Sequence, residues 1–442
     1  NIQNLVTSQV TIKMIPLRYI LFNVIVTTSS QPSYALHHAL EWEYAAEHMP
    51  KPRSDISADF ALAPDDDGDL FVNVYLLGGC DNPDGYIKPK NNPKGEFICP
   101  SVSSDNVAFD PHLGLFSDRA KMLRPRYRHD AVTVDGNIWV VGGRDVNDNV
   151  VREVDVYFPA FNKWRYVGDL PRDLATSDLT CYTRGEGIIV IGGYNSENKA
   201  VGTTYNIDTV KTLDQPPDKK VVFTRKLSSM DTPRGDINVV TYARYAYVMG
   251  GFTHENDFCE PLKTMEVYDT DADQWVYLAE LNEGRGDAAV VKFKGKFYVL
   301  GGETKNECGV SAQNRTGEPN RPVRTVEVYD PLQGYDGKWE VIDMKLPKDE
   351  GYRYVATSWP DIAHIFIFGG ISDADLKECN CLKPSDLAIV FSDELKKDIN
   401  WWAVGTGIVA LIGIGCAVRK YRKERYGIDT DVELHGLNED YY

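Results

Sequence analysis

Six short hydrophobic runs, each stopped by a pair of glycines, punctuate the chain: NVYLLGG, NIWVVGG, GIIVIGG, YAYVMGG, KFYVLGG and HIFIFGG. Their first glycines are Gly78, Gly142, Gly192, Gly250, Gly301 and Gly369, in steps of 64, 50, 58, 51 and 68 residues. Each run is rich in β-branched and aromatic side chains, the composition of a strand. The glycines that follow permit a sharp bend with positive φ. A strand with one recurring exit, about every 50 residues, predicts a propeller with one blade per unit.

Polar and aromatic positions after the glycines repeat as well. A variable loop leads into REVDVYFPAFNKW, KTMEVYDTDADQW or RTVEVYDPLQGYDGKW. Tyr157 and Trp164 are seven residues apart, as are Tyr268 and Trp275; Tyr329 and Trp339 are ten apart, with GYDG enlarging the turn. Phe109 and Phe116 keep the spacing in the first unit, while the third has Tyr205 and no Trp at the expected place. Aromatics flanking a hairpin turn can pack across the strand pair and into the next sheet. Together these residues closely resemble the kelch repeat, whose pattern is an Arg-containing turn, two strands ending in Gly-Gly, then Glu-Val-Tyr-Asp and a Trp. The resemblance implies an all-β, six-bladed propeller with four strands per blade, spanning residues 36–398.

Ring closure is legible too. The sixth unit has a third strand, SDLAIVFS, and then the chain leaves without a fourth. ALEWEYAAEHMPKPRSD near residue 40 supplies the missing piece, with Trp42 as the repeat's Trp and Met49 to Asp55 as the turn into the next blade. Such a clasp removes an open sheet edge.

Two copies of Arg-Gly-Asp, at Arg234 and Arg285, each lie 16 residues before a Gly-Gly. The same slot in other units is read as holding Arg53 with Asp55, and Arg126 and Arg128 with Asp130, so that Asp55 and Asp130 are expected to be equivalent. The tripeptide is therefore read as a repeat turn rather than an adhesion ligand. Its Asp is expected to work inside the blade on backbone N–H groups or an Arg. In kelch proteins the channel mouth is a common ligand site, sometimes for acidic peptides. The resemblance makes Arg53, Arg128, Arg234, Arg285 and Arg353 candidates to ring that mouth, where bidentate arginine would suit carboxylates. The competing reading has each arginine neutralised by its own Asp. Arg353, with no Asp two residues on, is the least obviously paired.

Cys80 and Cys99 flank one long loop and are the likeliest disulfide pair. Cys259, Cys308, Cys379 and Cys381 follow Gly-Gly pairs at similar distances and are further candidates for staples between blades. Cys181, in an inner-strand pattern, is expected to be a buried free thiol. Asn314-Arg315-Thr316 is a glycosylation sequon in a polar loop. No metal site is expected. Asp65–Asp69 and Asp269–Gln274 alternate acids but lack the Gly and Glu of a calcium loop, and both fall at hairpin turns. No catalytic constellation and no cofactor signature stands out.

Both ends carry targeting signals. Met14 opens a segment with one basic residue, a short apolar run and a small-x-small site ending at Ala35, the form of a secretory signal peptide. Residues 399–418 are read as a transmembrane helix. Its uncharged stretch from Trp401 to Val418 would make about 27 Å of helix against a hydrocarbon core of roughly 30 Å, and RKYRKER follows. These ends place the propeller outside the cell or in a lumen and residues 419–442 in the cytosol. Gly405, Gly407, Gly413 and Gly415 would let a partner helix approach within the membrane. The net charge of −17 argues against nucleic acid and against an anionic surface for the propeller. The leading functional expectation is a membrane-anchored recognition, receptor, adhesion or scaffold module that binds protein at a propeller face. Alternatives are an accessory subunit of a membrane complex, or an enzyme or lectin for an anionic sugar at an Arg-lined mouth.

Overall fold

The computed structural model describes residues 41–392, apart from 46, 65–69, 88–97, 217, 257–259, 305–320, 347–349, 359–363 and 373–382. The proposed signal peptide, membrane span and tail, Asn314, the Asp65–Asp69 acids, and Cys259, Cys308, Cys379 and Cys381 lie outside the described residues. No helix among the described residues is long and apolar enough to cross a membrane.

The fold is an all-β propeller of six four-stranded antiparallel sheets. The inner strands, in blade order, are Ser57–Pro64, Asp130–Val134, Thr180–Arg184, Asn238–Tyr242, Ala289–Phe293 and Glu350–Ser358. The second strands are the six apolar runs that end at the glycine pairs. In the sixth blade Glu41–Tyr44 pairs with Ala388–Ser392, Trp42 standing opposite Phe391 with ring centroids 4.9 Å apart. The first and last described strands thus complete one sheet, as the sequence pattern implies. A two-stranded ribbon, Glu303–Thr304 with Arg321–Pro322, stands on the fifth blade.

The aromatic pairs are the cross-strand rivets their spacing suggests. Tyr157 faces Trp164, Tyr268 faces Trp275 and Phe109 faces Phe116 in register, with centroids 4.9, 5.0 and 4.9 Å apart. Tyr329 reaches Trp339 at 5.2 Å despite the longer turn. The third blade departs from the sequence reading. Gly187–Ile191 pairs so that Ile207, not Tyr205, holds the aromatic position. The helix Thr209–Leu213, with Asp208 accepting from the Lys211 N–H at its start, replaces the tight hairpin.

The glycine pairs let neighbouring blades touch. Gly142 has φ 68°, and a Cβ there would meet the carbonyl oxygen of Thr176 in the next blade at 2.4 Å. The N–H groups of Gly79, Gly143, Gly193, Gly251 and Gly370 each donate to the residue that opens the next blade, at 2.8–3.0 Å. A larger residue would push those contacts apart, so the pair is a packing requirement as well as a turn.

Candidate functional site: the channel and its mouth

In each blade one residue, just before the inner strand or, in the sixth blade, within it, turns the backbone into the left-handed region. These are Asp55, Arg128, Asp178, Asp236, Asp287 and Arg353, with φ of 51°, 55°, 54°, 56°, 49° and 60°. Their main chains link blade to blade. Arg128 donates to Asp55, Asp178 to Arg128, Asp236 to Asp178, Asp287 to Asp236, and Asp55 to Arg353, over 2.8–3.2 Å. Asp tolerates this conformation better than most residues; Arg128 and Arg353 adopt it as well. The six residues line a central cavity of about 90 Å³.

This ring corrects the expected arginine mouth. Arg53, Arg234 and Arg285 do not face the channel; with Arg126 they are buried inside their blades. Arg126, Arg234 and Arg285 each direct Nη1 to the carbonyl of their own Gly-Gly pair, at 2.9–3.1 Å. Their Nη2 atoms reach Asp155, Glu266 and Glu327 on the third strand, at 2.7, 2.6 and 2.6 Å. The neutralising acid is thus the one in the Glu-Val-Tyr stretch, not the Asp two residues on. Asp236 and Asp287, the acids of the two Arg-Gly-Asp turns, belong to the channel rather than to the blade interior. Nor does Asp130 share the position of Asp55: the equivalent residue is Arg128, and Asp130 sits in the inner strand, holding the Cys181 and Ala131 N–H groups at 2.7 and 2.8 Å.

Arg353, expected to be the least paired, is the most heavily engaged. Its guanidinium lies 3.1 Å from Asp287, 3.8 Å from Asp55 and 3.8 Å from Glu303. Burial works against its charge, but Asp287, Asp55 and Glu303 outweigh that and push its pKa well up. Arg128 lies 3.5 Å from Asp178. Asp55, Asp178 and Asp287 bring carboxylate oxygens within 4.8 Å of one another, a spacing that could hold a cation. Both channel arginines lie against those same carboxylates and supply the positive charge from within the chain.

Antiparallel pairing puts the start of each inner strand and the exit of each second strand on one face. The loops after the glycines therefore surround the same mouth as the ring. Tyr86, in the first of them, donates its hydroxyl to Asp55, and the Arg353 guanidinium lies 5.3 Å from the centre of its ring. Burial, then the Asp55 charge, raises the Tyr86 pKa well above its usual value. That loop is fastened by a disulfide between Cys80 and Cys99, with Cα atoms 5.8 Å apart. Tyr194 reaches Asp236 at 2.6 Å from the third blade. Arg144 ties two neighbouring loops, bonding Ser177 at 2.9 Å and the Asp148 carbonyl at 2.7 Å. Cys181 is buried and free. Asp269, in the turn considered for calcium, caps the Asp271 and Ala272 N–H groups at 3.0 and 3.1 Å.

Residues 125–171 and 233–282 match the family profile of the Kelch motif. The chain carries Kelch motifs. Kelch-like protein 26 of Danio rerio is 26% identical over 230 residues, which are 52% of this chain and 34% of that protein. Beta-scruin of Limulus polyphemus is 25% identical over 245 residues, 55% of this chain and 25% of that protein. The matched stretches make up 34% and 25% of the length of these two relatives. The solved structure of YjhT superposes with a TM-score of 0.56 at 14% identity, covering 79% of this chain and 97% of that one, and shows a shared fold.

Sequence reasoning missed Asp178, Tyr86, Tyr194 and Glu303. Counting 14 residues back from Gly142, Gly192, Gly250 and Gly301 gives Arg128, Asp178, Asp236 and Asp287 directly. That fixed offset was the available signal for the ring; no comparable spacing marks the tyrosines.

Proposed function

We propose that this propeller is a protein-recognition module whose binding face is the mouth ringed by the loops after the glycine pairs. The observation that carries the reading is the run of five main-chain bonds that links the six channel residues from blade to blade. It sets the described parts of the loops after the glycine pairs around one opening, the arrangement in which a rigid scaffold presents recognition residues. The Kelch relatives support a binding or scaffold role over a catalytic one. An enzyme or lectin for anionic sugars at an Arg-lined mouth loses its main support, because Arg53, Arg234 and Arg285 lie inside their blades and away from the channel, the last two paired there with Glu266 and Glu327.

The finer reading is that a single-pass anchor at 401–418 displays the propeller outside the cell or in a lumen. The uncharged span and the basic run after it support this, as does the Cys80–Cys99 disulfide, which suits an oxidising compartment. Protease added to sealed vesicles should then remove only the cytosolic tail; digestion of the propeller would refute the topology. For the binding face, the full chain should be cross-linked to co-purified partners and the sites mapped. Links clustered on residues 81–87, 145–150 and 195–200 support the reading. Links clustered on the opposite-face hairpins near Gly136, Gly185 and Gly295 would overturn it.

A further inference from the structure

The six blades can be compared with one another at the position of the buried arginine. In the second, fourth and fifth blades Arg126, Arg234 and Arg285 each have an acid on the third strand, two residues before the aromatic: Asp155, Glu266 and Glu327. In the third blade arginine and acid are lost together. Thr176 takes the arginine's place, its hydroxyl bonding the Gly192 carbonyl at 3.0 Å, and Tyr205 stands opposite Val190 where the acid would be. In the sixth blade Gly351 and Ile389 hold the two positions.

The first blade alone keeps the arginine and loses the acid. Arg53 bonds the Gly78 carbonyl at 3.1 Å and the Asp105 carbonyl at 3.4 Å through Nη1, as its counterparts do. The third-strand position opposite Leu76 is Val107. The Nε and Nη2 groups of Arg53 are therefore buried without a hydrogen-bond partner, and the residue is 1% exposed. A buried guanidinium with unmade bonds is costly, so its retention calls for an explanation.

Arg53 and Val107 form part of the wall of a cavity of about 190 Å³, which Lys51, Arg119 and Lys121 also line. Two acids line it as well. Asp105 is taken up by Lys51 and Lys121, at 2.9 and 2.8 Å; Asp118 is the other. Four cations against two carboxylates leave a local surplus of positive charge in a chain whose net charge is −17. The cavity opens on the same face as the mouth, because Asp105 and Asp118 lie at the Gly78 end of their strands.

We propose that this cavity is a carboxylate-binding site: an Asp or Glu side chain of a protein partner enters it and bonds Arg53 Nη2, as Asp155, Glu266 and Glu327 do in their own blades. The identity of the occupant rests on the recognition reading above; the carboxylate chemistry rests on Arg53 alone. Lys51, Lys121 and Arg119 attract the carboxylate at the rim, and Arg53 closes the contact with a geometry the fold already uses three times.

The test is calorimetric titration of the full chain in detergent with acetyl-Gly-Glu-Gly-amide, its Gln counterpart, succinate and inorganic phosphate. The Glu peptide should saturate one site and bind at least tenfold tighter than the Gln peptide. Val107→Glu, which supplies the missing acid from within, should abolish that binding and raise the melting temperature. The double variant Lys51→Ala, Lys121→Ala should weaken binding several-fold, and it decides the matter if Val107→Glu does not fold. Equal binding of Glu and Gln peptides, or undiminished binding by Val107→Glu, overturns the proposal. Binding of succinate or phosphate without the peptide overturns the partner side chain as occupant. If cross-links map to the mouth while the peptide fails, only this inference falls. If the peptide binds while cross-links map elsewhere, the recognition reading falls and the carboxylate site stands.

Discussion

Arg234 Nη2 lies 2.6 Å from Glu266 Oε1, and both side chains are fully buried. The pair answers what the Arg-Gly-Asp turn at residue 234 is for. Its arginine is a beam inside the blade, bonded also to the carbonyls of Gly250 and Thr264 at 3.0 and 2.9 Å. Glu266 in turn holds the Asp231 and Thr232 N–H groups at 2.8 and 3.1 Å. Glu266→Ala should cost roughly 3–5 kcal/mol, the range for leaving a buried charge without its partner. Replacing both residues with apolar ones of similar volume should recover much of that. Denaturant unfolding measures both; a loss under about 1 kcal/mol in the single variant would contradict the role.

Asp236, the acid of the same turn, acts through its backbone conformation and its bond to Tyr194. Asp236→Ala places a Cβ-bearing residue with no local hydrogen bond at φ 56°, at a cost of about 1–2 kcal/mol. Asp236→Gly relieves the conformation and should cost less. The ordering Gly above Ala in melting temperature is the expected result. Cell attachment to the propeller should be indifferent to soluble Arg-Gly-Asp peptide; competition by that peptide would restore an adhesion role.

The clasp in the sixth blade should be felt through Phe391, which is fully buried between Trp42 and Phe293. Phe391→Ala should cost roughly 3–5 kcal/mol, and Trp42→Ala less, because Trp42 is only half-buried. A chain lacking residues through Ala45 that melts at the parent temperature would show that the first strand does not close the ring.

Asp130 should impose a pH dependence. Burial, offset in part by the Cys181 and Ala131 N–H groups, raises its pKa to about 6. The folded protein therefore keeps this proton to higher pH than the unfolded chain, whose carboxylates titrate near about 4. Stability from this group is fully present below about pH 4 and is lost as pH rises through about 6. Asp130→Asn should flatten the fall in stability across that window; an unchanged slope would contradict the assignment.

The fold was legible because its signals are periodic and local: the Gly-Gly exits, the aromatic spacing, and a sixth unit one strand short. The site was less so, because two different arginine positions stand two residues apart. In RYRHD both Arg126 and Arg128 are present, and only the register shows that Arg126 is the buried beam and Arg128 the channel residue. The acid partner of each beam comes 29, 32 or 42 residues later, on the third strand, so proximity in sequence favoured the wrong Asp. The unmatched Arg53 became visible only when equivalent positions in six blades were laid against one another.

The central claim is that recognition happens at the mouth. Hydrogen exchange of the full chain, alone and with its co-purified partner, tests it most directly. The account expects added protection in residues 81–87, 145–150 and 195–200 around the ring of Asp55, Arg128, Asp178, Asp236, Asp287 and Arg353. Protection confined to the opposite-face hairpins at Asp135–Gly136, Gly185–Glu186 and Lys294–Gly295 would contradict it.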